Sequence, residues 1–85
     1  MHTFIKDALK IENAICGIKQ VKKALKSGAV KTLYLASDAE KRLIAPIVAL
    51  SESLYIPIVW VSSMRTLGKM CGIDVGCAAA ATFNA

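Results

Sequence analysis

Short apolar runs with the composition of β-strands alternate along this chain with segments of helical spacing, and a chain so built must bury helices and strands against one another in layers. The strand candidates are Ala14-Ile15-Cys16, Thr32-Leu33-Tyr34-Leu35-Ala36, Ile56-Pro57-Ile58-Val59-Trp60-Val61 and residues 78–83. Pro57 is tolerable at a strand start or on an edge. Residues 78–83 are alanine-rich, which disfavours a strand on propensity alone. Between these runs lie four helical patterns. Thr3 can cap a first helix carrying Phe4, Ile5, Ala8, Leu9 and Ile11. A second runs from Ile18 to Ser27 and stops at Gly28, where glycine supplies a left-handed residue. Ser37-Asp38-Ala39-Glu40 fits a capping box and predicts a helical turn, after which a helix with Pro46 in its first turn aligns Leu43, Ile47, Leu50 and Leu54. Ser62 or Ser63 caps a fourth, bearing Met64, Leu67 and Cys71 and ended by Gly72. Eighty-five residues in this order make one domain, an α/β sandwich around a central four-stranded sheet. There is no repeat, low-complexity tract or linker.

The second helix is sided by charge. Lys19, Lys22, Lys23 and Lys26 fall on one side at spacings of three, four and seven, and Ile18, Val21 and Leu25 fall on the other. Like charges stacked on a helix repel modestly, so either the stripe is a solvated face or something anionic uses it. The charge of the whole chain is +5, and between Asn13 and Ser37 there are five lysines and no acid. One positive pole favours nucleic acid or an anionic membrane surface over an acidic protein. A hydrophobic fraction of 55% excludes a disordered chain.

Other chemistries find little footing. The glycines fit neither GxGxxG nor a P-loop, and the single histidine, His2, offers no Ser-His-acid or Cys-His set. Asp38 and Glu40 are accounted for by a helix start. Cys16, Cys71 and Cys77 contain no CxxC pair and make no zinc spacing, so they read as small buried hydrophobes of a reducing cytosol. Lys6, Asp7 and Lys10 interrupt any leader-like apolar stretch, and runs such as 54–62 and 75–83 are about half the ~18 residues of a spanning helix. A cytoplasmic, non-enzymatic, monomeric protein without cofactor or metal is expected.

Gly72-Ile73-Asp74-Val75-Gly76 is the second informative segment, with two apolar residues in a loop between glycines. Either Ile73 and Val75 pack inward, the commoner outcome for such residues, or they meet a partner.

Residues 17–28, Gly-Ile-Lys-Gln-Val-Lys-Lys-Ala-Leu-Lys-Ser-Gly, together with residues 67–80, Leu-Gly-Lys-Met-Cys-Gly-Ile-Asp-Val-Gly-Cys-Ala-Ala-Ala, resemble the ribosomal protein L7Ae family, most closely its short bacterial members. The resemblance covers nearly the whole chain. It implies a three-layer α/β/α sandwich with a mixed sheet, and binding to kink-turns, which are sharply bent RNA helix–bulge–helix elements with tandem sheared G·A pairs. By that resemblance the helix start, Gly17, Ile18, Lys19, Gln20, Lys22 and Lys23, approaches the G·A pairs at a major groove opened by the kink. Lys23 matches the family's helix lysine, and Lys26 adds a phosphate partner. Ile73 and Val75 match the apolar loop that packs on extruded nucleotides, with Asp74 contributing mainly its backbone. The chain departs from archaeal and eukaryotic members, which carry Asn-Glu where it has Lys19-Gln20. Gln20 offers one carbonyl acceptor and no charge to a guanine edge, so base reading is expected to weaken and backbone attraction to strengthen.

The function expected is recognition and stabilisation of a kink-turn in ribosomal or regulatory RNA, such as rRNA or a riboswitch, with the ribosome as a further partner and no membrane. The alternative is a ribosome-associated protein-interaction module using the Ile73/Val75 loop.

Overall fold

The computed structural model describes the backbone of residues 2–5 together with Ile11 and residues 13–83. Its elements in chain order are β1 (His2–Ile5), β2 (Ile15–Cys16), α1 (Ile18–Ser27), β3 (Val30–Ala36), α2 (Lys41–Ser53), β4 (Ile58–Val61), α3 (Met64–Met70) and β5 (Ala79–Phe83). The strands form one mixed sheet in the order β1-β4-β3-β5-β2. β4 runs parallel to β3, with Trp60 beside Leu35, and β5 runs antiparallel to both β3 and β2. α1 and α2 pack together on one face, and α3 covers the other. This is the expected α/β/α sandwich, and β2 to β5 are the four strands that the apolar runs predict.

β1 is an addition. It pairs with β4 at the sheet edge, from His2 beside Ile58 to Ile5 beside Val61. Thr3, Phe4 and Ile5 are therefore extended and do not open a helix. A short isolated helix is marginal, whereas a strand laid beside β4 gains ladder hydrogen bonds and covers an open edge. Ala8 and Leu9, which were expected on that helix, lie outside the described residues.

The core fills both faces of the sheet. Val21, Leu25, Leu33, Leu35, Ile47, Ile58, Leu67 and Met70 are each no more than 1% exposed, and each contributes roughly 1.5–3 kcal/mol by burial. Ala79, Ala80 and Ala81 are fully buried in β5, which α1 and α3 cover from opposite sides. Small side chains let both helices approach this strand, so burial outweighs alanine's low strand propensity.

α2 departs from expectation in two respects. It starts at Lys41, which puts Pro46 in the second turn. Pro46 cannot donate to the carbonyl of Arg42, but both residues are exposed, so water can replace the missing donor. The buried stripe is Ile44, Ile47 and Ser51, while Leu43 and Leu54 stay 48% and 43% exposed. Ser51 is accommodated because its hydroxyl donates to the Ile47 carbonyl at 2.9 Å and to that of Val48 at 3.1 Å.

The turn expected at Ser37–Glu40 is present, with the Ala39 N–H donating to the Ala36 carbonyl at 3.2 Å, but no capping box forms and the α2 start at Glu40 has no side-chain cap. β3 and β4 leave the sheet side by side, and the polar groups after β3 turn to the neighbouring chain. Ser37 donates through its backbone to Val61 at 2.8 Å and through its hydroxyl to Ser62 at 2.9 Å. Asp38 Oδ1 accepts from the Met64 N–H at 2.8 Å, and Ser63 caps the same helix by accepting from Thr66 N–H at 3.0 Å. Asp38 thus has the expected role at a helix start, and the helix is α3.

Candidate nucleic-acid interface

The start of α1 is built around Gly17, at φ 109° and ψ 143°, a region that only glycine enters readily. A Cβ there would also sit 2.6 Å from Gln20 Oε1, because the Gln20 side chain folds back over Gly17. The Gly17 N–H donates to the Ala79 carbonyl at 3.0 Å, which fixes the helix start against β5. No side chain caps this start and no acid stands in its first turn. Among the described residues, then, the first-turn N–H groups and the positive helix end have no built-in anion.

Lys19, Gln20, Lys22, Lys23 and Lys26 are all exposed, and the four lysines together line a shallow depression on the helix surface. Val21, Ala24 and Leu25 are buried on the opposite side. Ile18 is half-buried and packs on the core, so what it presents at this surface is backbone. Gly28 ends the helix at φ 79°, its N–H donating to the Leu25 carbonyl at 3.2 Å.

The 72–76 loop is exposed and held in place. Gly72 turns the chain at φ 78°, and Ile73 N–H donates to Gly68 at 3.0 Å. Further on, Cys77 N–H donates to Met64 at 2.9 Å, so the loop folds back along α3. The Val75 carbonyl lies against Gly68, where a Cβ would meet it at 2.0 Å. With that carbonyl turned inward, the side chains turn out. Val75 is 69% exposed, Ile73 36%, and Asp74 is exposed between them. Inward packing, the commoner outcome for such residues, does not occur here.

A cysteine cluster joins the two segments. Cys16 directly precedes Gly17, while Cys71 and Cys77 bracket the loop, and the three sulfurs lie within 4.8 Å of one another. Sequence spacing gave no hint of this meeting, which depends on β2 pairing with β5. Burial and the neighbouring Cys16 thiol push the Cys71 thiol up, and the same two causes raise Cys77 to about 12. Gly68 was also missed as a site residue. Its signal was available, since a glycine inside a helical pattern costs about 1 kcal/mol against alanine and so points to a packing reason.

The helix start and the loop are thus neighbours at one end of the sandwich, with Lys26 farthest along the stripe. The model of the ribosomal protein L7Ae/L30e/S12e/Gadd45 family matches residues 1–85. The chain belongs to that family. Among its L7Ae-family relatives, an RNA-binding protein of Halalkalibacterium halodurans is 45% identical over 67 residues, covering 79% of this chain and 82% of the relative. An RNA-binding protein of Bacillus pumilus is 44% identical over 70 residues, covering 82% and 85%. The Giardia lamblia 15.5 kD RNA binding protein superposes with a TM-score of 0.78 over 85% of this chain and 61% of its own, at 20% identity, a likeness of fold alone. Within the described residues no helix is long and apolar enough to cross a membrane.

Proposed function

We propose that this L7Ae-family protein binds RNA and that its preferred target is a kink-turn, in ribosomal or regulatory RNA. RNA binding is supported by family membership and by bacterial relatives that are named RNA-binding proteins. The observation that carries the finer reading is the exposed Val75 on a loop locked against Gly68, beside an uncapped helix start flanked by lysines. An apolar side chain held rigidly in water loses hydrophobic stabilisation unless something covers it. An extruded nucleotide has the flat apolar face to do so, and the adjoining backbone N–H groups and lysines suit the phosphates that such a nucleotide brings.

The work divides accordingly. Lys19, Lys22, Lys23 and Lys26 neutralise phosphates, Gln20 meets a base edge through its carbonyl, and Ile73 and Val75 form the platform with Asp74 between them. If about four phosphates are neutralised, affinity falls on the order of 10²-fold between about 50 and 200 mM salt. Function is a population shift with no catalytic step: the RNA samples extended and bent forms, and the protein binds the bent form better.

A kink-turn duplex carrying a donor and an acceptor dye on its two arms tests this directly. Adding protein at a magnesium concentration that leaves the free RNA mostly extended is expected to raise energy transfer to that of the bent form. Binding without any gain in transfer would sink the population-shift reading and favour a protein partner for the loop.

A further inference from the structure

We propose that Cys16, Cys71 and Cys77 form a three-thiolate site for a thiophilic d10 metal ion, Zn2+ or Cu+. The three sulfurs come from different places, the end of β2, the residue closing α3 and the residue after the 72–76 loop, yet all lie within 4.8 Å of one another. Three thiolates at a Zn–S distance of about 2.3 Å place their sulfurs about 3.8 Å apart, so side-chain rotation alone closes the cluster around an ion. Soft thiolates select Zn2+ and Cu+ over the hard cations, and among the described residues no carboxylate or imidazole belongs to this group.

The surroundings suit an ion. Cys77 is buried, while Cys16 and Cys71 are half-exposed, which gives an entry path and room for a solvent ligand to complete tetrahedral zinc. Cu+ needs no fourth ligand and would be trigonal. The Gly17 N–H faces the Cys77 sulfur and favours its thiolate, as outer-shell donors do around bound metals. The uncapped start of α1 adds its positive end beside Cys16. In the metal-free protein the Cys77 thiol donates to the Ala79 carbonyl at 2.9 Å. That carbonyl also accepts from Gly17 N–H, so it keeps a partner once the thiol proton leaves.

Binding is proton exchange without redox. Each cysteine loses its S–H proton to solvent and forms one S–metal bond, and the Zn2+ complex carries a net charge of −1. Because each thiol gives up its proton on binding, affinity rises with pH.

The test uses the full chain, reduced, stripped with chelator and kept anaerobic, with no RNA present, so its outcome is independent of the RNA reading. Co2+ serves as the spectroscopic probe. One equivalent is expected to produce the intense near-ultraviolet thiolate-to-cobalt absorption, which Zn2+ then abolishes by displacement. A second arm supplies Cu+ from a chromogenic Cu+ chelator and reads its uptake as loss of the chelator complex's colour. Cys71→Ser and Cys16→Ser, both at half-exposed positions, are each expected to weaken binding at least tenfold while leaving the circular dichroism melt cooperative. Absence of thiolate absorption together with no uptake of Cu+ would overturn the site. So would binding that survives both substitutions unchanged.

Discussion

The lysine stripe of α1 and the 72–76 loop reach the surface by opposite routes. The stripe stands on a regular helix, so its positions follow from the 3.6-residue period, and its long side chains adjust to whatever lies opposite. Charges of that kind attract phosphate at long range and tolerate misplacement. The loop has short side chains and only one charge, and its position depends on backbone contacts with α3, the Val75 carbonyl on Gly68 and the Cys77 N–H on Met64. A rigid apolar projection rewards one shape and tolerates little error. Affinity and selectivity can therefore be separate properties of neighbouring surfaces, so that each can be removed without the other.

Gly68→Ala is expected to have the largest effect. Its methyl would meet the Val75 carbonyl at 2.0 Å, and overpacking of this kind costs on the order of 1–3 kcal/mol, partly offset by alanine's helix advantage of about 1 kcal/mol. The melting temperature should fall, and most of the preference for kinked RNA should vanish while salt-sensitive binding to a plain duplex persists. Unchanged preference would break the comparison, since loop position would then not matter. Val75→Ala comes next. It removes apolar contact worth about 1.5 kcal/mol, a loss of roughly tenfold in affinity for kinked RNA, with no change in the salt slope.

Lys23→Ala sharpens the other half. The slope of log affinity against log salt should fall by about one phosphate contact, with a few-fold loss at low salt. Its melting temperature should stay within a degree or two, because exposed substitutions usually cost under about 0.5 kcal/mol. Gln20→Glu should be smallest. A carboxylate near a helix start is favourable by about 0.3–1 kcal/mol and accepts from a guanine edge more strongly. Stability and the kinked-to-plain affinity ratio should both rise slightly; a falling ratio, measured in parallel titrations, would remove Gln20 from base reading.

Helices with one strong stripe were legible in the sequence. α1, with Gly28 as its stop and Ser63 as the cap of α3, lies where spacing and capping chemistry put it. What escaped was set by neighbours in space. Phe4 and Ile5 have helical spacing but find a strand edge beside β4. Asp38 has a helix start three residues ahead in sequence but caps α3, because β3 and β4 end together. At the site, the lysines could be read one by one. The outward pose of Val75 depends on where its carbonyl finds room, and the cysteine cluster depends on β2 pairing with β5. Neither is a local property of the chain.

The most direct measurement is a pair of titrations at two salt concentrations, one with an end-labelled kink-turn duplex and one with the same duplex after its G·A pairs are replaced by Watson–Crick pairs. At least tenfold tighter binding to the kinked RNA is expected, about 1.4 kcal/mol, with a ratio that persists as salt weakens both. Equal binding to the two duplexes would contradict it and leave the lysine stripe as an electrostatic patch.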